Sequence, residues 1–251
     1  MQSVRDWAKT SGYDYRFYDD SLFSYAPDWY RDRARHDVLL VSDLARLIVA
    51  RELLAEGYDR TIWIDADVLV FAPEFFRMDT REPQLYTFCR ETWLGIDGEG
   101  GFSISHGVNN AVSVFTRGNG ALDFLIEASE RIVRDDANPH PQQVGTRFLT
   151  QLHATTPLPL RDDVAMISPA MHHDFAHDCD DALYQYARAH GAPSAAANLC
   201  GSFRNRLHDG VTLDDAGLNR TINFLLTSRR LGIPGWCEPA LTSMPRALTA
   251  R

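Results

Sequence analysis

The chain predicts an α/β fold built on a mostly parallel sheet with helices on its faces. Three observations carry that expectation. Short apolar, β-branched runs at 61–64, 68–71, 111–116 and 164–167 alternate with helical stripes at 42–56 and 122–133, and strand, helix, strand is the rhythm of a parallel sheet. The 251 residues are 45% hydrophobic and 24% charged, proportions that bury a core. No internal repeat, low-complexity tract or linker interrupts the pattern. The expected organisation is therefore a single domain over 1–251, divided into halves 1–120 and 121–251, with a helical or irregular extension at the C-terminal end.

Ser3 with Asp6 reads as a capping box for a first helix that turns Trp7 and Ala8 inward and ends at Gly12. Tyr13, Tyr15 and Phe17 alternate with Asp14, Arg16 and Tyr18, the pattern of a half-buried strand. Ser42 is the expected cap of a second helix, with Asp43 at its positive end. Leu44, Leu47, Ile48 and Leu54 follow at helical spacing until Gly57. Strands at 61–64 and 68–71 flank Asp65-Ala66-Asp67. Gly95, Gly98, Gly100 and Gly101 make a flexible loop, residues 111–116 a strand, and Gly118-Asn119-Gly120 a turn. Leu122, Leu125, Ile126, Ile132 and Val133 stripe a helix, and Gly145 precedes a shorter one carrying Phe148, Leu149 and Leu152. Pro169 ends a strand at 164–167, and helices are expected near 181–190 and 218–230 in a more polar tail.

Charge and cysteine content exclude several classes. A net charge of −9 and a pI near 5.4 argue against nucleic acid as the main partner. Lys9 is the only lysine, which leaves almost nothing for Schiff-base or phosphate-loop chemistry. Cys89, Cys179, Cys200 and Cys237 contain no C-x-x-C pair, so they read as buried free thiols in a reducing compartment. No apolar segment follows a basic start, and no run approaches the ~20 residues of a membrane helix. The expectation is a soluble, cytoplasmic protein with no span, with which peripheral membrane attachment is compatible.

The chemistry concentrates at Ile62-Trp63-Ile64-Asp65-Ala66-Asp67. A strand running into two aspartates delivers both carboxylates at its carboxyl end, where open α/β sheets bind ligands. Strand alternation would point Asp65 and Asp67 the same way, about 7 Å apart, with Ala66 opposite. Two such charges call for a cation, and a hard divalent ion could also hold a diphosphate. The plain alternative is a solvated turn. Upstream, Asp43 and Arg46 stand one helical turn apart on one face. They are either a surface ion pair of little worth or a carboxylate and a guanidinium aimed at sugar hydroxyls and phosphate.

Together, Ser42-Asp43-x-x-Arg46, a helix ending in Gly57-Tyr58-Asp59, and Ile-Trp-Ile-Asp65-Ala-Asp67 resemble the GT-A glycosyltransferases with a sugar-binding DXD region. These include fungal initiating mannosyltransferases, bacterial capsule and lipopolysaccharide enzymes and clostridial glucosylating toxins. The resemblance is strongest over 3–76. It continues through Val108-Asn109-Asn110-Ala111 and through Val144-Gly145-Thr146-Arg147-Phe148-Leu149-Thr150, where Thr146 replaces a proline. It extends to Asn198-Leu199-Cys200-Gly201-Ser202-Phe203, where Asn198 and Phe203 depart from the family's histidine and tryptophan.

The resemblance implies a GT-A, Rossmann-like fold whose first half binds the nucleotide sugar and whose second faces the acceptor. It implies a metal-dependent hexosyltransferase, retaining as most of these relatives are, that moves sugar from a nucleotide-diphosphate donor to a saccharide or glycolipid. Asp65 and Asp67 would hold Mn²⁺ or Mg²⁺. Asp43 and Arg46 would contact the donor sugar, Asn110 would lie near sugar or acceptor, and Asn198 and Ser202 would close over the diphosphate. The glycine loop at 95–101 suits a lid. The family begins with a base-binding strand, whereas this chain starts at what reads as the helix after it. The implied alternatives are a shortened start or a base held by residues 13–18.

Other features weigh less. His173 and His177 lie four apart within an Asp-rich segment at 172–181, which reads as a solvated loop before it reads as a metal site. His208 is a weak candidate third ligand, and Trp93 a candidate sugar platform, while Trp7 and Trp63 read as core or lid. A haloacid-dehalogenase-type phosphatase would also use an aspartate pair after a strand. It would need a downstream lysine, and there is none after Lys9. A catalytically dead nucleotide-sugar or partner-binding module is the third reading.

Overall fold

The structure is a computed structural model describing residues 1–78 and 85–231. Cys237 lies outside the described residues. The fold is mixed α/β, and by contact the chain forms two compact units. The first comprises 1–68, 77–91 and 106–161, and the second 69–76, 92–105 and the described residues from 162 onward.

In the first unit, α1 (Gln2–Thr10) buries Val4, Trp7 and Ala8 as its spacing predicts. It starts from Met1 without a side-chain cap, so the expected Ser3 capping box does not form. Residues 13–18 are not a strand: their aromatic rings find separate partners instead of a ladder. Tyr13 packs on Trp7 at 5.3 Å, and Tyr18 packs on Tyr25 and Trp63 at 6.0 and 6.4 Å. A 3₁₀ turn at Asp20–Tyr25 leads to α2 (Asp28–Arg33), whose buried Tyr30 donates to the Leu40 carbonyl at 3.2 Å.

Helix α3 (Val38–Glu56) begins four residues before the expected Ser42 cap. Asp37 is the cap, accepting from the N–H groups of Leu39 and Leu40 at 3.0 and 3.1 Å. Gly57, at φ 114°, ends the helix in the left-handed region that favours glycine. From Leu40 to Ala50 only Ser42 escapes burial, so Asp43 and Arg46 lie inside the unit rather than on a surface stripe. Strand β1 (Arg60–Ile64) follows, and β2 (Val68–Val70) leads into the second unit.

The first sheet has the order β1-β4-β3-β5, with β3 at Tyr86–Ile96, β4 at Phe102–Thr116 and β5 at Leu160–Arg161. β1 runs antiparallel to β4, with Ile62 opposite Val114, while β3 and β5 are parallel. The sheet is thus mixed rather than mostly parallel. Residues 97–101 are too short for the crossover that parallel neighbours need, and their glycines form the tip between β3 and β4. Helix α4 (Ala121–Asp135) packs on α3 and α2, and α5 (Thr146–Thr155) starts from Gly145. Leu44, Ile48, Phe88, Phe115, Leu125 and Leu149 centre the core.

In the second unit, β6 (Val164–Met166) lies parallel to β7 (Ala196–Asn198), and the sheet order is β2-β7-β6. Helix α6 (Pro169–His177) packs on α7 (Asp181–His190) and α8 (Asp215–Ser228). α6 occupies much of the segment expected as a loop: Ser168 caps it, and Pro169 takes the first turn. His172 is buried at 1% exposure inside this packing. Its Nε2–H donates to the Leu199 carbonyl at 2.9 Å, and Nδ1 accepts from Thr221 at 2.8 Å. Burial lowers its pKa to about 4. Strands β8 (Leu207–His208) and β9 (Val211–Thr212) pair through Asp209 and Gly210. Both linking residues have positive φ, at 51° and 75°, as a type I′ hairpin turn requires.

Candidate functional site

β1 does not carry Asp65 and Asp67 as strand residues. The ladder gives one further bond, from the Asp65 N–H to the Ala111 carbonyl at 2.8 Å, and then the chain turns. The Val68 N–H closes the turn on the Asp65 carbonyl at 3.1 Å, so period-two alternation ends at Ile64 and Ala66 is exposed.

Around this turn the first unit brings four sequence-predicted residues together. Arg46 pairs with Asp43 at 3.0 Å and with Asp65 at 2.9 Å, and it donates to the Asn110 carbonyl at 3.1 Å. The Asn110 amide donates to Asp43 Oδ1 at 2.9 Å. The pair at i, i+3 is therefore internal, with Asp43 8% and Arg46 7% exposed. Trp63 completes the arrangement. Its Nε1–H donates to Asp65 Oδ1 at 2.7 Å, and its ring lies 5.3 Å below the guanidinium. Asp65 Oδ1 thus serves two donors, while Oδ2 takes no hydrogen bond among the described residues.

Electrostatics follow from burial. Desolvation pushes the Asp65 carboxyl up to about 6, opposed by Arg46 and reinforced by the charge of Asp67. Burial also raises Asp43, against Arg46 and the Asn110 amide. For Arg46, burial pulls down but Asp65, Asp43 and Asp67 outweigh it, and the guanidinium stays charged. Asp67, half-buried, is felt through its charge on Arg46 and Asp65.

Two further residues escape sequence reasoning. Gly145 sits against Asp43, where a Cβ would come within 2.9 Å of Cγ. Its sequence signals, a glycine directly before a helical stripe and a place in the Val144–Thr150 element, do not point to Asp43. Glu91, half-buried on β3, is held by the Asn109 amide at 3.0 Å, and burial raises its pKa. A single glutamate in an apolar strand gives no warning of that.

Asn198 and Ser202 belong to the second unit. The Asn198 side chain shapes its own turn, accepting from the Cys200 N–H at 2.7 Å, and Ser202 is exposed in a 3₁₀ turn. Trp93 packs with Phe203 at 5.7 Å and His208 at 6.4 Å, and His208 neighbours Asp209 at 3.3 Å. Cys89 is buried, its thiol donating to the Val112 carbonyl at 3.3 Å, while Cys179 is exposed and Cys200 intermediate.

Among the described residues no group of three or more His, Cys, Asp or Glu side chains stands ready around a metal position, and no helix is long and apolar enough to cross a membrane. Compared with protein-family models, curated proteins and solved structures, the chain has no match in any of the three.

Proposed function

We propose that the chain is a metal-dependent glycosyltransferase of the GT-A kind, transferring a sugar with retention from a nucleotide-diphosphate donor to a saccharide or glycolipid acceptor in the cytoplasm. The observation that carries this reading is the shared guanidinium at the end of β1, where Asp43 and Asp65 both pair with Arg46 and the charge of Asp67 acts on the same group. Their oxygens are hard donors, and Asp65 Oδ2 is uncommitted while Oδ1 is fixed. That donor set fits Mg²⁺ or Mn²⁺, ions that take one or two carboxylates and complete their shell with phosphate and water. Asp65 and Asp67 would hold the ion, which when bound supplies charge neutralisation for the departing diphosphate.

The chain's own residues orient and pre-charge this site. Trp63 and Arg46 lock Asp65 in place, and Asp43 with Asn110 locks Arg46. A fixed cation in a partly dry setting favours negative charge developing nearby. In the transfer, the bond from the anomeric carbon to the phosphate oxygen breaks and the acceptor oxygen bonds to that carbon. The acceptor proton leaves on the nucleoside diphosphate. Asp43 is buried and spends Oδ1 on Arg46 and Asn110, so its role is positioning rather than sugar contact.

The test is a panel of UDP- and GDP-sugars with and without Mn²⁺, reading donor hydrolysis. Metal-dependent hydrolysis of one donor is expected. Asp67→Ala should abolish metal-dependent donor binding in calorimetry at unchanged melting temperature. Unchanged donor affinity in that variant, or no donor turned over, overturns the assignment.

A further inference from the structure

β4 places Ser113 directly opposite Trp63 of β1, and residues paired across antiparallel strands share one face of the sheet. The Trp63 ring lies on that face beneath Arg46, with the guanidinium carbon 5.3 Å from its centre, so Ser113 also faces α3. There it is 1% exposed, and its Oγ takes no hydrogen bond among the described residues. A buried hydroxyl left unpaired loses its bonds to water without replacement, and native interiors rarely keep one. The same side chain lines a small cavity under the Asp43–Arg46 pair, together with Asn110, Ser129 and apolar side chains such as Phe88 and Leu125. The cavity has about 10 Å³ of room, the space that one water molecule needs. Further polar groups stand around it. Asp43 spends Oδ1 on Arg46 and Asn110, and its Oδ2 takes no hydrogen bond among the described residues. Ser129 donates its hydroxyl proton to the Leu125 carbonyl at 2.6 Å, which leaves its oxygen able to accept.

We infer that this cavity is a binding site for one water molecule, which joins Ser113 to Asp43. The Ser113 O–H donates to the water oxygen, and the water donates one proton to Asp43 Oδ2 and the other to Ser129 Oγ. The water then makes three hydrogen bonds, the usual number for an internal water, and the Ser113 hydroxyl gains the partner that the protein itself does not supply. A larger ligand does not fit in this volume, and an apolar one would leave Ser113 and Asp43 Oδ2 unpaired. Asp43 is thereby held through both oxygens, Oδ1 by Arg46 and Asn110 and Oδ2 by water. The inference goes beyond the glycosyltransferase reading and stands without it, since metal and donor are assigned there to Asp65 and Asp67.

A crystal structure of the full chain without metal, at a resolution that shows ordered waters, should place one water within hydrogen-bond distance of Ser113 Oγ and Asp43 Oδ2. The structure of Ser113→Ala should lack it. Thermal unfolding gives an independent reading through its sign. Removing a hydroxyl that anchors a water bridge loses a bond and strands Asp43 Oδ2, so the Tm of Ser113→Ala should fall by about 2–4 °C, the shift that one hydrogen bond is worth in a chain of this size. Removing an orphan hydroxyl instead leaves Tm unchanged or raises it. The parent structure decides the matter by itself should the variant fail to fold. A dry cavity in the parent, a water that persists in Ser113→Ala, or a Tm that does not fall overturns the proposal. Neither metal nor nucleotide sugar enters these measurements, so failure here and failure of the donor panel are distinguishable.

Discussion

Arg46 makes two ion pairs and two carbonyl bonds from a position 7% exposed, and its guanidinium lies over the Trp63 ring. Removing it strands Asp43 and Asp65 without their cation, and breaking a buried pair from one side costs about 3–5 kcal/mol. Arg46→Ala is therefore expected to lose stability at the lower end of that range, since the Asp65 side chain is 24% exposed. Urea unfolding measures this, and a loss under about 1 kcal/mol would mean that the pairs do not clamp the site. His172 gives the pH counterpart. Its folded pKa of about 4 lies below the unfolded value, so the native state holds fewer protons between about 4 and 6.5. Its contribution is complete above the unfolded pKa and is lost as pH falls through that window, on the order of 3 kcal/mol in all. Asp65, raised to about 6, has the opposite sign in the same window, its contribution fading as pH rises. The clean readout is thus a difference: His172→Gln should gain less stability between pH 4 and 6.5 than the parent in thermal unfolding. Parallel profiles would show that His172 is not held neutral.

At the scale of elements, α5 starts where Asp43 on α3 leaves no room for a side chain. Gly145→Ala should cost about 1–3 kcal/mol by overpacking against Asp43. Equilibrium unfolding decides it, and a neutral result would mean that Asp43 can shift without loss. The elements legible in the sequence were those with clean punctuation. Gly57 ended α3, Gly145 opened α5, and the stripe from Leu122 to Val133 ran along α4. The start of α3 was hidden because Val38 and Leu39 are apolar yet 59% and 46% exposed, which blurs the helical period before Ser42. β7 is Ala-Ala-Asn, a low-propensity sequence made a strand by full burial beside β6. α6 was obscured by polar letters, since nothing local reveals that His172 finds Thr221. For the site, the Asp43–Arg46 spacing was readable because both lie on one helix. Trp63 beneath Arg46 and Gly145 against Asp43 were not, because those contacts cross long stretches of sequence.

At the scale of the molecule, each unit is assembled from three separate stretches of chain. The second sheet takes β2 from residues near 69 and β6 and β7 from beyond 162. A fragment of residues 162–231 should therefore fail to fold, as it lacks the strand that pairs with β7 and exposes that strand's edge. Circular dichroism and proteolysis of the fragment would test this, and a protected, cooperatively melting fragment would refute it. One tryptophan of the first unit stands directly at the cluster. The Trp63 indole is hydrogen-bonded to Asp65 and faces Arg46, so any ligand that draws the carboxylate away must alter the polarity around that ring. The protein thereby carries its own fluorophore at the cluster, and occupancy can be followed as an emission shift in solution without attaching a dye.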